Sequence, residues 1–266
     1  MATSFVPSAG IRTFPYWVAP SLRPSILAII ALGISSHSAV PGRRLTNLCF
    51  SATASFTAGG ALLVVGAVTI GRARSKSELP FSLIPALFGV QQLIEGALWL
   101  TFTASAAHAN SFLTHSYSLF SHVLWPMYVP FAVLLVERVS WRRNLLFGLS
   151  FAGAATGLYL LYFLVTQPIV SRVAGGHILY ISPHFFVVVV LAAYVLATCA
   201  SSLVSSHRAI RWFGVSIFVS LAAAAVFYAT WFISVWCFFA AVMSVFVLLY
   251  FVRRDDLRIH HHRRGG

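Results

Sequence analysis

Negative charge is what this sequence most lacks: five Asp and Glu stand against eighteen Lys and Arg in 266 residues, a net charge of +13. No Asp occurs before Asp255, so only Glu is available for carboxylate chemistry ahead of the tail. That argues against the Ser, Asp and His arrangement around zinc used by seven-crossing hydrolases of the alkaline ceramidase type. Lysine is scarcer still. Lys76 is the only one and falls between apolar runs, which excludes retinal held as a Schiff base inside a helix bundle. Cys49, Cys199 and Cys237 show no paired spacing, so neither a disulfide framework nor a zinc knuckle is indicated. No Gly-rich phosphate loop, H-E-x-x-H or G-x-S-x-G occurs.

What is present is apolar. Hydrophobic residues make up 59% of the chain and charged residues 9%, against roughly 25% charged in soluble domains. The mean hydropathy is +0.86. The apolar runs are continuous rather than alternating, which disfavours a porin-like barrel. The composition predicts an all-α polytopic membrane bundle. The positive charges are nearly all Arg and lie between apolar runs or in the tails, where they set topology and meet anionic headgroups. No basic stripe with interleaved aromatics falls on a soluble segment, so nucleic acid is not an expected partner. The lipid bilayer is.

A helix needs about 20 apolar residues to cross the hydrocarbon core. Crossings are expected near 51–71, 79–102, 112–136, 144–166, 184–205, 211–230 and 232–252. The uncharged stretch Trp212–Val252 would be about 60 Å long as one helix, so it is divided at a tight turn near Thr230–Ser234. Arg72, Arg74 and Lys76 follow the first crossing; Arg138, Arg142 and Arg143 the third; Arg208 and Arg211 the fifth; Arg253, Arg254 and Arg258 the seventh. The intervening loops carry only Arg172. The positive-inside rule then predicts seven transmembrane helices, N-out and C-in, in a bacterial cytoplasmic membrane.

Three regions follow: an extension at 1–47, a transmembrane domain at 48–252 and a basic cytoplasmic tail at 253–266. The run Ser25–Ile34 is too short to span and reads as a cleavable signal peptide or as part of a segment not natively translated. The tail holds His260, His261 and His262 and is expected to be solvated and disordered. Gly153 and Gly157 form a GxxxG, which suits packing within the bundle or contact with a second copy.

Glu95 is the only acidic residue inside a long apolar run, and Gln91 and Gln92 precede it by one turn. A carboxylate at that depth costs a few kcal/mol or more unless paired or protonated. From the expected topology, Glu95 sits about 11 Å and His122 about 15 Å from the outer surface, on adjacent helices. A buried Glu95–His122 contact braced by Gln91 or Gln92 is therefore expected, reached from outside through His115 and His184. Pro126 and Pro130 free backbone carbonyls near His122. Such a cluster serves a proton relay, a metal site drawn from Glu95, His122, His184 and Cys49, acid–base chemistry, or simple fastening of helices. A transporter or proton-coupled pathway leads. An intramembrane metal-dependent enzyme and a structural partner in a membrane complex are the alternatives. No cofactor is indicated by any motif.

Two segments, Cys49-Phe-Ser-Ala-Thr-Ala-Ser-Phe-Thr-Ala-Gly59 and Leu79–Leu100 (LPFSLIPALFGVQQLIEGALWL), resemble a family of uncharacterised bacterial integral membrane proteins that open Met-Cys-Phe-Ser-Ala-Thr-Ala-Ser-Phe. The resemblance runs from Leu48 to about Val252. Leu48 stands where that family has its initial Met, so a non-Met start at Leu48 is expected. The resemblance implies several membrane crossings and brings no activity, substrate or cofactor.

Overall fold

The computed structural model describes residues 51–104, 106–183, 186–227, 235, 238–239, 241–242 and 244–253. The expectations for Leu48, Cys49, His184, the Thr230–Ser234 turn and the tail beyond 253 lie outside those residues. Within them the architecture is helical, as composition predicted. Helix α1 spans Ala52–Arg72, α2 Leu79–Ala104, α3 Ala107–Val136, α4 Ser140–Thr166 and α5 Val187–Val204, and each is long and apolar enough to cross a membrane. Helix α6 (Arg208–Phe227) follows, and residues 245–253 are helical. This is a multi-pass membrane protein. Side chains such as Phe151 and Val165 are exposed along the helices, as suits surfaces that contact lipid.

Helices α3 and α4 begin four or five residues before the expected crossings. Their first turns, from Ala107 and Ser140, are polar enough to project beyond the hydrocarbon while still forming helix. Ser51 starts α1, its hydroxyl accepting the Ala54 N–H at 3.2 Å as an N-cap should.

Small residues set the helix spacing. Gly59 and Gly66 of α1 lie seven residues apart, as do Gly89 and Gly96 of α2. A Cβ on Gly66 would stand 2.6 Å from the Ala86 side chain, and one on Gly96 would stand 3.0 Å from the Phe56 ring. The heptad spacing keeps these contacts on one seam of an antiparallel pair. The Thr69 hydroxyl then donates to the Ser82 carbonyl at 2.7 Å. Gly153 and Gly157 behave likewise within the chain: a Cβ on Gly153 would collide with the Pro126 carbonyl, and one on Gly157 would lie 2.5 Å from Met127. The GxxxG face is thus occupied by α3 and serves packing within the bundle. It is not a free surface for a second copy.

One element departs from the all-helical expectation. Val170–Ala174 (β1) pairs antiparallel with His177–Ile181 (β2). Gly175 and Gly176 join them, both at positive φ, the conformation a two-residue hairpin turn of the right twist demands. The flanking VSRVA and HILYI carry the β-branched residues that signal such a hairpin. Tyr180 stacks on Tyr117 of α3 with centroids 4.5 Å apart, and Leu98 and Ile178 complete this small cluster. The hairpin marks one end of the bundle. The connections holding Arg138 and Ser206 mark the other, arginine-rich end.

Candidate functional site

The site is organised by the contact between α2 and α3. Trp125 stacks on Phe88 with ring centroids 3.8 Å apart, and its indole N–H donates to Gln91 Oε1 at 2.7 Å. These contacts fix the register of two antiparallel helices. Four residues from Gln91 to Glu95 and three back from Trp125 to His122 both lead toward the hairpin end, by about 6 and 4.5 Å of rise. Glu95 and His122 therefore occupy neighbouring levels of adjacent helices. Gln91 and Gln92 are fully buried, Glu95 is 3% exposed and His122 is 8% exposed.

Hydrogen bonding around this layer is incomplete. Gln92 Nε2 donates to Glu95 Oε2 over 3.4 Å, a long bond. Gln91 Nε2 and Gln92 Oε1 are buried with no partner, one donor and one acceptor on the turn that bears Glu95. Each such group costs about 1–3 kcal/mol. The Ser118 hydroxyl, one turn before His122, is also buried without a partner.

Around His122 the helix itself changes form. Leu119–Leu124 is a π turn, and the Trp125 N–H reaches back to the Phe120 carbonyl. Pro126 has no N–H to offer the next carbonyl along, so Ser121 O has no partner in its own helix. Tyr194 of α5 supplies one, its hydroxyl donating at 2.7 Å. The Ser121 side chain meets His122 Nδ1 at 2.8 Å. The proline signal in the sequence thus marks a real break in the ladder, and π turns of this kind concentrate at functional sites.

His115 lies elsewhere on α3. It is half-buried, and its Nδ1 meets the Ser111 carbonyl at 2.8 Å. The extra residue of the π turn breaks the seven-residue relation that would have placed it over His122. Among the described residues no three His, Cys, Asp or Glu side chains gather as a metal ion requires; Cys49 and His184 lie outside them.

Sequence reasoning missed two further buried carboxylates, Glu78 and Glu137. Glu137 follows the last turn of α3 and is 2% exposed. Its carboxylate accepts from the Arg138 N–H at 2.9 Å, the Val139 N–H at 3.0 Å, the Ser206 N–H at 2.6 Å and the Ser206 hydroxyl at 2.7 Å. Burial pushes this carboxyl's pKa up, but the donors from Ser206, Val139 and Arg138 outweigh it and hold it down at about 2. Arginines close the same corner. Arg142 donates to the Val204 carbonyl at 2.8 Å, and Arg211 donates to the carbonyls of Ser205 and Ser206 at 3.1 and 3.0 Å. They satisfy carbonyls left open at the end of α5. A cavity of about 360 Å³ lies beside them, lined by Glu78, Glu137, Arg138, Arg143 and Tyr250 among others. The missed signal was the isolated Glu137 in an arginine-rich connection.

Residues 48–262 match a family described as a family of unknown function (DUF6629). No curated protein matches the chain, and no solved structure does.

Proposed function

The chain belongs to this family, which supplies no activity, and we propose that it is a multi-pass protein of the bacterial cytoplasmic membrane whose Glu95, Gln91, Gln92 and His122 form a buried site on a proton-coupled or polar-solute pathway. The carrying observation is the pair of unpartnered amide atoms, Gln91 Nε2 and Gln92 Oε1, beside a buried carboxylate. A purely structural fastening would be selected to close those bonds, because each open one destabilises the fold. A site that must accept and release a small polar guest needs both a free donor and a free acceptor. Carboxylates at such depth commonly mark ion and proton routes. The remaining proposals are the seven-crossing count and the N-out, C-in orientation, which rest on the arginine asymmetry and put the hairpin end outside.

The test is access. In a chain freed of its three native cysteines, Gln92→Cys is exposed to silver ion, a small thiol-seeking cation, added to one face of oriented vesicles. Blocking is read by mass spectrometry after alkylation of the remaining thiols. Blocking from both faces is the expected result. Blocking from the hairpin face alone would point to an intramembrane enzyme closed toward the cytoplasm, and blocking from neither would leave only helix fastening.

A further inference from the structure

We propose that Asn110, Thr114, Ser118 and Ser121 form a hydrated polar file that carries water and protons from a cavity at the hairpin end to His122 and Glu95. The proposal rests on the reading of the Glu95 layer as a pathway and names its route on one side.

The residues recur at intervals of four, four and three along α3, so they share one face up to the π turn. Unlike His108, Ser111, His115 and Ser116 on the other sides of the same turns, this face is sealed: Thr114 and Ser118 are fully buried and Ser121 is 6% exposed. At its outer end lies a cavity of about 410 Å³, lined in part by Thr101, Asn110, Ser111 and Ser171. A hydrogen-bonded chain begins there. Asn110 Nδ2 donates to Thr101 Oγ1 at 2.8 Å, Ser171 Oγ donates to Asn110 Oδ1 at 3.3 Å, and the Ser171 and Thr114 hydroxyls meet at 2.7 Å. Ser171 comes from β1, so the hairpin completes the mouth.

Ser118 is the decisive residue. Hydroxyls in membrane helices usually bond the carbonyl one turn back. Thr114, Ser116, Ser150, Thr156 and Ser216 each bond the carbonyl four residues back. The Ser118 hydroxyl has no partner. Its turn from Thr114 is about 6 Å of rise, close to the span of two O–H···O bonds of about 2.8 Å through one water, and the way on to His122 enters the π turn. Buried waters take up such polar groups. Beyond Ser118, the Ser121 hydroxyl contacts both the Ser118 carbonyl at 3.4 Å and His122 Nδ1 at 2.8 Å. Each hydroxyl or water in the file accepts one proton as it passes another on, so transfer leaves the file chemically unchanged. The route runs through hydroxyls and waters, with the Asn110 amide anchoring its mouth, and His115, bonded to its own helix, stands outside it.

The experiment uses the Gln92→Cys chain and silver ion, with Ser118→Val and Thr114→Val added singly. Vesicle orientation is read from protease access to the C-terminal tail. Valine keeps the shape and replaces the hydroxyl with a methyl group. Blocking from the hairpin face is expected to slow at least tenfold in both variants, with blocking from the arginine face unchanged. Unchanged blocking from the hairpin face in variants with normal melting would overturn the file and leave the Glu95 site intact. Blocking of the parent only from the arginine face would also overturn it, while blocking from neither face would sink file and site together. If either valine variant fails to fold, Ser118→Ala serves: it deletes one unpartnered hydroxyl, should leave the melting temperature unchanged or raised, and should still slow blocking several-fold.

Discussion

Glu95 on α2 and Glu137 just beyond the end of α3 are both almost wholly buried carboxylates, yet their surroundings are built to opposite standards. Glu137 receives four donors at 2.6–3.0 Å, from its own connection and from the one after α5. Beside Glu95, the bond from Gln92 is 3.4 Å long and two amide atoms lack partners. The first arrangement suits a carboxylate whose task is to hold two loops together, since three donors converge on Oε1 and a fourth on Oε2 from two separate connections. The second keeps hydrogen-bonding capacity in reserve. A buried charge alone therefore does not distinguish a fastener from a site; whether the polar atoms packed beside it are satisfied does.

The largest effect should come from Glu137→Ala. It strands the Ser206 and Val139 donors and uncouples the end of α3 from the connection after α5. A loss of about 3–5 kcal/mol is expected, the range for breaking one side of a buried charged network. The readout is a large fall in thermal unfolding midpoint in detergent, with Glu137→Gln intermediate. A stable Glu137→Ala protein would erase the contrast. Acidity should reproduce the effect. The folded pKa of Glu137, about 2, lies below its ordinary value of 4.5. Its stabilisation is therefore complete above the ordinary value and is lost as pH falls toward about 2. Melting recorded across that window should decline for the native chain and decline less for Glu137→Gln.

Much of this was legible in sequence, and unevenly so. The five membrane-length helices followed from uninterrupted apolar runs, because in a bilayer only helices of that length satisfy the backbone. The neighbouring levels of Glu95 and His122 followed from rise per residue and a short connection. The hairpin was missed although Gly175 and Gly176 announce it, since a loop between long apolar runs drew no attention to its own alternation. Glu137 was missed because a carboxylate beside arginines reads as a surface ion pair, whereas backbone N–H groups hold it. The π turn moved His115 out of the line that seven-residue spacing assigned to it, and helical periodicity cannot foresee an inserted residue. The file along Asn110, Thr114, Ser118 and Ser121 has a plain four-residue spacing, but hydroxyls in membrane helices are so often satisfied by their own backbone that only the open Ser118 bond sets it apart.

At the Glu95 layer the expected stability changes are smaller and their signs are informative. Glu95→Gln exchanges a buried acid for a neutral amide of similar volume, and the fold should shift by no more than about 1 kcal/mol, because removing a buried charge relieves its desolvation cost. Proton-dependent flux in vesicles should nevertheless stop, as the titrating group is gone. A collapse in melting comparable to Glu137→Ala would mean that Glu95 is a fastener after all.

The smallest expected change is Ser118→Ala. Deleting a hydroxyl that bonds a carbonyl or another side chain normally costs about 1 kcal/mol. Deleting one that is buried without a protein partner costs nothing or stabilises, because the open group is itself unfavourable. A water held by Ser118 regains its hydrogen bonds in bulk when the hydroxyl is deleted, so melting changes little, while the layer beyond loses that water's anchor and hydrates more slowly. Stability and access should then move in different directions: melting unchanged or raised, silver blocking of Gln92→Cys from the hairpin face slowed. A helix hydroxyl with a merely structural role cannot produce that pair of results, since any variant that leaves packing intact would leave access intact as well.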